Sequence, residues 1–203
     1  MTRLQKALTR LAADLNSGGL KWALVGGFAV TLRTEPRTTR DIDVVLAISG
    51  EREAEAAALH LRLRGYRDHP KGGVIEWPDG RIATIRLVSP PFDDEDAGTE
   101  VDLLIASSGV ETEVVAAADV LEFLPQVTTP VARAGHLLAL KVLASRPKDL
   151  EDVRSLLREM DWEELQLARE TLALIMQRGF HRDRELIGEL EELVDAQGRT
   201  DWQ

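Results

Sequence analysis

The first half of the chain alternates between helical and strand-like spacing of its apolar residues. Near the amino terminus these residues recur every three or four positions, at Leu4, Leu8, Leu11 and Leu15. This spacing predicts an amphipathic helix. Short apolar runs over 21–25 and 41–48 predict strands, and the second run is rich in β-branched residues. Helices are predicted after each strand, at 28–32 and 51–64. The order is therefore strand, helix, strand, helix.

Turn signals then become frequent, at Gly72-Gly73 and at Asp79-Gly80. The segments between the turns have the alternating pattern of short strands, which predicts a mostly antiparallel extension of the sheet. These predicted strands cover 74–77, 81–88 and 100–105. The acidic stretch over 90–96 is typical of a solvated loop, and we assign it no catalytic role.

Strand signals end near Pro130, and helical spacing continues from there to the carboxyl terminus. Asp161 with Glu164 is typical of a helix start, and Gly179 and Gly198 are typical of helix ends. The predicted helices cover 131–145, 147–158, 162–178 and 184–197. The predicted fold class is therefore α/β in the broad sense (α+β): a mixed, mostly antiparallel sheet flanked by helices over 1–128, followed by a helical region over 129–203 that packs on it.

Composition restricts the partners and the compartment. The chain has 203 residues and 25 Lys and Arg against 35 Asp and Glu, a net charge of −10. The whole molecule should repel nucleic acid, so any RNA contact must be local. No cysteine is present, which excludes disulfides and thiolate metal sites and suits a reducing cytoplasm. No apolar run approaches the ~20 residues that cross a membrane. A cytoplasmic location without membrane attachment is expected.

Acidic residues inside apolar strands are the strongest chemical signal. Asp41 and Asp43 alternate on one predicted strand face, about 7 Å apart. Carboxylates in that arrangement suit Mg²⁺, although a salt bridge to Arg37 or Arg40 would neutralise them equally well. Asp102 lies between apolar neighbours on a later strand. We predict Asp41, Asp43 and Asp102 as catalytic residues and metal ligands, with Mn²⁺ as the alternative ion.

The acidic group leaves open the number of metal ions and the identity of the third acid. Three acids on adjacent strands could hold two metal ions about 4 Å apart, the spacing that activates a hydroxyl and stabilises a departing phosphate. Glu100 lies on the same strand face as Asp102 and competes for its role.

Gly26-Gly27 lies between a strand and a helix, where a backbone without side chains can approach a phosphate. Arg33, Arg37 and Arg40 follow and would suit a triphosphate. The loop and these arginines together predict a nucleotide-binding segment ahead of the acids.

The order of these motifs resembles the nucleotidyltransferase fold of the polymerase beta superfamily. The resemblance rests on Gly26-Gly27, thirteen intervening residues, Asp-x-Asp and a later isolated Asp. The run Arg37-x-Thr39-x-Asp41-x-Asp43 is similar to the AbiEii and MenT type nucleotidyltransferases of bacterial toxin–antitoxin systems. Many relatives have serine where this chain has Gly27.

The resemblance implies roles for later residues. Lys141 would contact nucleotide phosphates and act in catalysis, and Asp149 or Asp152 would support the nucleotide site. Gly26, Gly27, Arg37, Thr39 and Arg40 would complete that site. For the two later acids, a simpler interpretation is that they complement the dipole of a first helical turn.

The implied reaction is transfer of a nucleoside monophosphate from an NTP to an acceptor, with two Mg²⁺ ions. Asp102 would either hold the catalytic metal or accept a proton from the acceptor. The acceptor predicted first is tRNA or a protein, and a cognate antitoxin is the expected partner. One alternative is a small-molecule enzyme of the aminoglycoside or lincosamide type, whose acceptor is a drug hydroxyl. The other is a catalytically inactive nucleotide-binding module.

Overall fold

A computed structural model describes residues 1–77, 81–93 and 97–198. Eight helices are seen in this part of the chain: α1 Arg3–Ser17, α2 Gly26–Arg33, α3 Glu51–Arg62, α4 Glu111–Ala116, α5 Ala134–Ala144, α6 Pro147–Glu159, α7 Trp162–Gln177 and α8 Leu186–Gln197. The strands are β1 Trp22–Val25, β2 Asp41–Leu46, β3 Arg67–Asp68, β4 Val74–Glu76, β5 Ile82–Val88, β6 Glu100–Leu104, β7 Asp119–Leu124 and β8 Val127–Val131. The turn predicted at Asp79-Gly80, part of the acidic loop and the last five residues lie outside the described residues.

The strands form one mixed sheet in the order β3-β5-β6-β2-β1-β8-β7, and β4 also pairs with β5. Two pairs are parallel, β2 with β6 and β1 with β8. The remaining pairs are antiparallel. The predicted fold class, a mixed and mostly antiparallel sheet flanked by helices, is confirmed. The parallel β2–β6 pair is the part of the sheet that positions the acidic residues.

Capping side chains define where several helices begin. The hydroxyl of Thr2 accepts a hydrogen bond from the backbone N–H of Gln5 at the start of α1. The Gln5 side chain in turn accepts one from the backbone N–H of Thr2. Asp161 accepts from the N–H of Glu164 at the start of α7. Pro147 occupies the first turn of α6, where its missing N–H costs no hydrogen bond. Pro147 and Asp161 explain why the predicted starts of α6 and α7 match the structure.

The hydrophobic core is continuous between the sheet and the helical region. Helix α5 is buried over most of its circumference and packs against α2, α6 and α7. Its buried side chains include Leu137, Leu138 and Val142. Lys141 lies on the same helix and is itself only 5% exposed. Helix α5 therefore carries a cation into an otherwise apolar interface.

The β7–β8 hairpin was not predicted from the sequence, and neither were α4 and the short β3. Pro125 lies in the hairpin turn and Pro130 lies within β8, so strand signals are weak in this segment. Long-range pairing forms β8, because Leu24 of β1 pairs with Val131. Residue 128, where the sequence analysis divided the chain, lies inside β8. In the described part of the chain, no helix is long and apolar enough to span a membrane.

Candidate active site

Four carboxylates share one face of the β2–β6 pair. In this parallel register Asp43 is opposite Asp102, and Asp41 is opposite Glu100. Residues opposite each other in a sheet point to the same face, and so do residues two apart on one strand. The predicted metal ligands Asp41, Asp43 and Asp102 are therefore brought together on adjacent strands.

Asp43 is the carboxylate under the greatest electrostatic strain. The pKa of Asp43 is raised to about 6, chiefly by burial and further by repulsion from Asp41 and Asp102. Its carboxylate lies directly against Gly26, where a Cβ would overlap the Oδ2 atom. Gly26 also has a left-handed φ of +65°. Glycine is therefore required at position 26 both by backbone conformation and by the approach of Asp43.

Asp41 is in a more favourable environment. Burial opposes its ionisation, but a hydrogen bond from the Thr39 hydroxyl (3.0 Å) and the charge of Lys148 outweigh burial and lower its pKa. The Lys148 Nζ atom lies 4.0 Å from Asp41 Oδ2. The two acids of the Asp-x-Asp motif thus have opposite pKa shifts. Thr39, predicted to bind nucleotide, holds Asp41 in this structure.

Asp102 and Glu100 are distinguished by their partners. Burial raises the pKa of Asp102, and the neighbouring Arg86, whose Nε lies 3.3 Å from Asp102 Oδ1, opposes that increase. Glu100 pairs with His69 at 3.2 Å, and its side chain is 55% exposed. Asp102 is the acid opposite Asp43. The geometry therefore favours Asp102 over Glu100 as the third acid.

Gly27 makes room for Arg37. A Cβ at position 27 would lie 2.5 Å from the Arg37 Nη2 atom and 3.0 Å from Thr39 Oγ1. Arg37 is fixed there by Asp152, with Nε to Oδ1 at 2.6 Å and Nη2 to Oδ2 at 2.8 Å. The guanidinium group consequently occupies the space where many relatives carry a serine side chain.

Lys141 lies between two buried aspartates. Its Nζ atom is 2.9 Å from Asp149 Oδ1 and 2.7 Å from Asp152 Oδ2. Asp149 also accepts from the Arg146 side chain, at 2.8 Å, and from its backbone N–H, at 3.1 Å. Burial opposes the ionisation of Asp149, but the bonds from Arg146 and Lys141 lower its pKa overall. Arg37, Asp152, Lys141, Asp149 and Arg146 thus form one chain of ion pairs, which we call the buried ion network.

A basic cleft of about 710 Å³ opens beside Asp41 and Asp43. Its walls contain the acids Asp41, Asp43 and Glu100 and a larger number of cations. The basic side chains in its walls are Arg3, Arg37, Arg40, Lys71, Lys141, Arg146 and Lys148. A locally positive cleft in a chain of net charge −10 is suited to a polyanion such as a triphosphate.

A second, inner cavity of about 360 Å³ lies on the other side of the acids, between the sheet and α5. Asp43, Lys141 and Arg146 contribute to both spaces, whereas Asp102 lines only the inner cavity. Its apolar wall consists of Ile75, Leu104, Leu137, Leu140 and Leu143. The acids therefore lie between the basic cleft and the inner cavity.

A family model described as the AbiEii nucleotidyl transferase toxin of type IV toxin–antitoxin systems matches residues 7–203. The chain belongs to this family. The predicted enzyme class, a nucleotidyltransferase that transfers a nucleoside monophosphate, is thereby confirmed, as is the toxin–antitoxin resemblance. No curated protein matches the sequence.

Solved structures agree with the family at the level of the fold. An antigenic nucleotidyltransferase-like protein from Paracoccidioides brasiliensis is 17% identical with a TM-score of 0.53, over 96% of this chain and 93% of that chain. The crystal structure of ANT(2″)-Ia in complex with adenylyl-2″-tobramycin is 15% identical with a TM-score of 0.53, over 87% of this chain and 99% of that chain. At these identities the likeness establishes the fold of this AbiEii family member alone.

A divalent cation is the cofactor typical of nucleotidyltransferases, and the acids of this enzyme are the side chains that could bind it. Within the described residues, no three His, Cys, Asp or Glu side chains gather closely enough to hold a metal ion by themselves. Mg²⁺ is usually held by one or two carboxylates together with substrate phosphates. Asp43 is repelled by Asp41, so a cation between them would relieve an unfavourable interaction. The residues present fit an ion shared by Asp41, Asp43 and a nucleotide.

Two arginines, Arg33 and Arg86, differ from what the sequence predicts. Arg33 was grouped with Arg37 and Arg40, but its guanidinium bonds to Asp119 and to the backbone oxygens of Val131 and Ala132, away from the acids. Arg86 was missed. Its signal was the alternation of Thr84 and Arg86 with apolar neighbours along β5, which puts both polar side chains on one strand face.

Proposed function

We propose that this AbiEii family member transfers a nucleoside monophosphate from an NTP to a hydroxyl group at the end of an RNA, with tRNA as the leading acceptor. The observation that carries the proposal is the position of Asp41, Asp43 and Asp102 between the basic cleft and the inner cavity. A negatively charged protein can bind RNA only where its surface is locally positive. The basic cleft supplies a locally positive surface beside the acids, and such a surface would repel a polycationic drug.

Mg²⁺ would be held by Asp41 and Asp43. When bound, it would neutralise charge on the phosphate oxygens of the nucleotide. The number of ions and the use of Mn²⁺ are tested by the same transfer assay with each metal.

The triphosphate is assigned to the basic cleft. Gly27 has no side chain, so the Arg37 guanidinium can lie against the backbone at the wall of this cleft. Arg40 and Lys148 line the cleft, and Arg37 is held toward it by Asp152. A planar guanidinium group matches two phosphate oxygens at once. Lys141, in the buried ion network, orients Asp149 and Asp152 and contributes positive potential to the phosphates.

Asp102 is the residue we assign to the acceptor. Its raised pKa makes it a better proton acceptor than an ordinary carboxylate, and it lines the inner cavity. In the proposed step the acceptor hydroxyl oxygen forms a bond to the α-phosphorus, and its proton passes to the Asp102 carboxylate. The bond between the α-phosphorus and the bridging oxygen breaks, and pyrophosphate leaves.

The test is transfer of label from each α-labelled NTP, with Mg²⁺, to total tRNA, cell protein or a panel of aminoglycosides and lincosamides. We expect label on tRNA, lost in Asp41→Ala. Asp195→Ala is the matched control, because Asp195 is exposed on α8 and far along the chain from the acids. Label on protein or a drug would refute the RNA assignment. NTP binding without transfer to any acceptor would favour the inactive binding module.

The toxin role is a separate part of the proposal. Expression of the wild-type chain is expected to arrest growth, since modified tRNA ends would block translation, and Asp41→Ala is expected to relieve the arrest. A cognate antitoxin encoded with the enzyme is the expected partner, and its co-expression should restore growth. The proposed site of action is the cytoplasm, where NTPs and tRNA are both found.

A further inference from the structure

The connection between α7 and α8 reaches the inner cavity, and no role was assigned to it from the sequence. Arg182 of this connection lines the cavity, together with Asp102, Lys141 and Arg146. Of these cations, Lys141 pairs with Asp149 and Asp152, and Arg146 pairs with Asp149. Within the described residues, no carboxylate forms an ion pair with Arg182. It is thus the cation of the inner cavity that remains available to an anion.

Aromatic packing holds Arg182 in place. Its guanidinium carbon lies 5.9 Å from the centre of the Trp77 ring. Trp77 is fixed in turn, because its indole N–H donates to the oxygen of Ala106 at 2.6 Å and its edge packs against Phe180 at 5.7 Å between ring centres. Phe180 lies against Gly109, where a Cβ would clash with the ring. Arg182 therefore lies against a packed aromatic surface formed by Trp77 and Phe180.

The backbone and the charge environment of Arg182 are both unusual. Arg182 and Asp183 have left-handed φ values of +54° and +56°, which non-glycine residues rarely adopt. Such conformations concentrate at functional sites. Burial lowers the pKa of Arg182, and the like charges of Arg184 and Arg146 lower it further. A bound anion would relieve this repulsion.

We propose that Arg182 binds a phosphate group of the acceptor, next to the hydroxyl that is modified. The inner cavity is the side of the acids on which Asp102 lies, and Asp102 is the residue assigned to the acceptor hydroxyl. The apolar wall of the same cavity, which includes Leu137 and Leu140, suits the flat face of a base. The inference rests on the proposed function and assigns one specificity residue to it.

Two measurements on Arg182→Gln separate the acceptor from the NTP. Calorimetric titration with each NTP and Mg²⁺, without acceptor, should give the wild-type Kd. Transfer to tRNA at saturating NTP should show a KM for tRNA raised about 10- to 100-fold, the range typical of one charged hydrogen-bonding contact. Loss of a phosphate contact should also reduce the salt dependence of that KM by about one charge. Arg182→Lys should recover part of the affinity.

Arg154→Gln is the matched control. Arg154 is exposed on α6, and its substitution removes the same charge outside the basic cleft and the inner cavity. Its tRNA KM should equal that of the wild type. An unchanged tRNA KM in Arg182→Gln, or a raised NTP Kd instead, would overturn the assignment. Equal melting temperatures of the variants exclude a purely structural effect. Failure of the wild-type chain to transfer label to any acceptor would refute the proposed function itself, and the inference with it.

Discussion

Arg37 and Asp152 form a two-point ion pair, with Nε to Oδ1 at 2.6 Å and Nη2 to Oδ2 at 2.8 Å, although 115 residues separate them in the chain. Arg37 lies in the loop before β2 and Asp152 lies in α6, so the pair joins the sheet to the helical region. Asp152 is fully buried and also bonds to Lys141. The loop before β2 is therefore held by a helix far along the chain.

Substitution of Asp152 should lower the free energy of unfolding and weaken nucleotide binding. Asp152→Ala leaves Lys141 and Arg37 without a shared acceptor, and we expect a loss of about 3–5 kcal/mol, the usual effect of breaking a buried ion pair. Arg37→Ala should cost less, because the Arg37 side chain is 34% exposed. Urea unfolding of both single variants and the double variant gives the coupling energy. A coupling near zero would contradict the two-point pair.

Gly26 should tolerate no side chain. In Gly26→Ala the new Cβ overlaps the Asp43 carboxylate and also forces a left-handed alanine. Gly19 has the same φ of +65° with open space around it, so Gly19→Ala isolates the backbone effect, about 1–2 kcal/mol. We expect Gly26→Ala to lose more stability than this in urea unfolding, and all transfer activity. Equal effects of the two substitutions would show that the Asp43 contact is unimportant.

The sequence predicted what depends on local pattern. The alternation of Asp41 and Asp43 placed both on one face of β2, and the run before Gly26 gave β1, because side-chain direction in a strand follows from spacing alone. The pairing of Asp43 with Asp102 could not be derived in the same way. It depends on the register of two strands that are distant in the chain, and that register is set by packing.

Long-range contacts also explain what was missed. Arg182 lies in a connection between helices, with no motif around it, and long-range contacts such as the packing of Phe180 on Trp77 place this connection at the inner cavity. The resemblance names Lys141, Asp149 and Asp152, but the ion pairs between them depend on the fold.

Lys141 and Lys148 both line the basic cleft, but they should respond differently to neutral substitution. Lys141→Met leaves Asp149 and Asp152 buried with fewer partners, and we expect a loss of about 3–5 kcal/mol. Lys148 is 58% exposed and lies 4.0 Å from Asp41, so Lys148→Met should change stability little while raising the NTP Kd. Thermal melting and NTP titration of both variants test this. A stable Lys141→Met with normal NTP binding would contradict the network's role.

Mg²⁺ with an NTP should stabilise the wild-type enzyme at pH 8. A ligand that binds only the folded state raises stability by about 2.7 kcal/mol at 100 times its Kd. Because Asp41 and Asp43 are the proposed ligands, the rise in melting temperature should be reversed by EDTA and absent in Asp43→Asn. Glu55→Gln, an exposed change on α3, should respond like the wild type. An EDTA-insensitive rise would show that the nucleotide binds without the ion.

The two acids of the Asp-x-Asp motif should affect stability with opposite sign as pH changes. Asp43 has a folded pKa of about 6, above its usual value of 3.8, so the folded state binds its proton more tightly. The contribution of Asp43 to wild-type stability should therefore fall as pH rises from about 4 to about 6, and Asp43→Asn should be the more stable protein above pH 6, by about 1–3 kcal/mol.

Asp41 has a lowered pKa, so its ionised form stabilises the fold above its unfolded value, and this stability is lost as pH falls through the folded pKa. Asp41→Asn should then be less stable than the wild type at pH 7, and the difference should disappear in acid. Urea unfolding of both variants from pH 3.5 to pH 8, without metal, measures the two differences. If both substitutions stabilised the protein at pH 7, the hydrogen bond from Thr39 and the charge of Lys148 would not hold Asp41 as the structure shows, and the assignment of different environments to the two acids would fail.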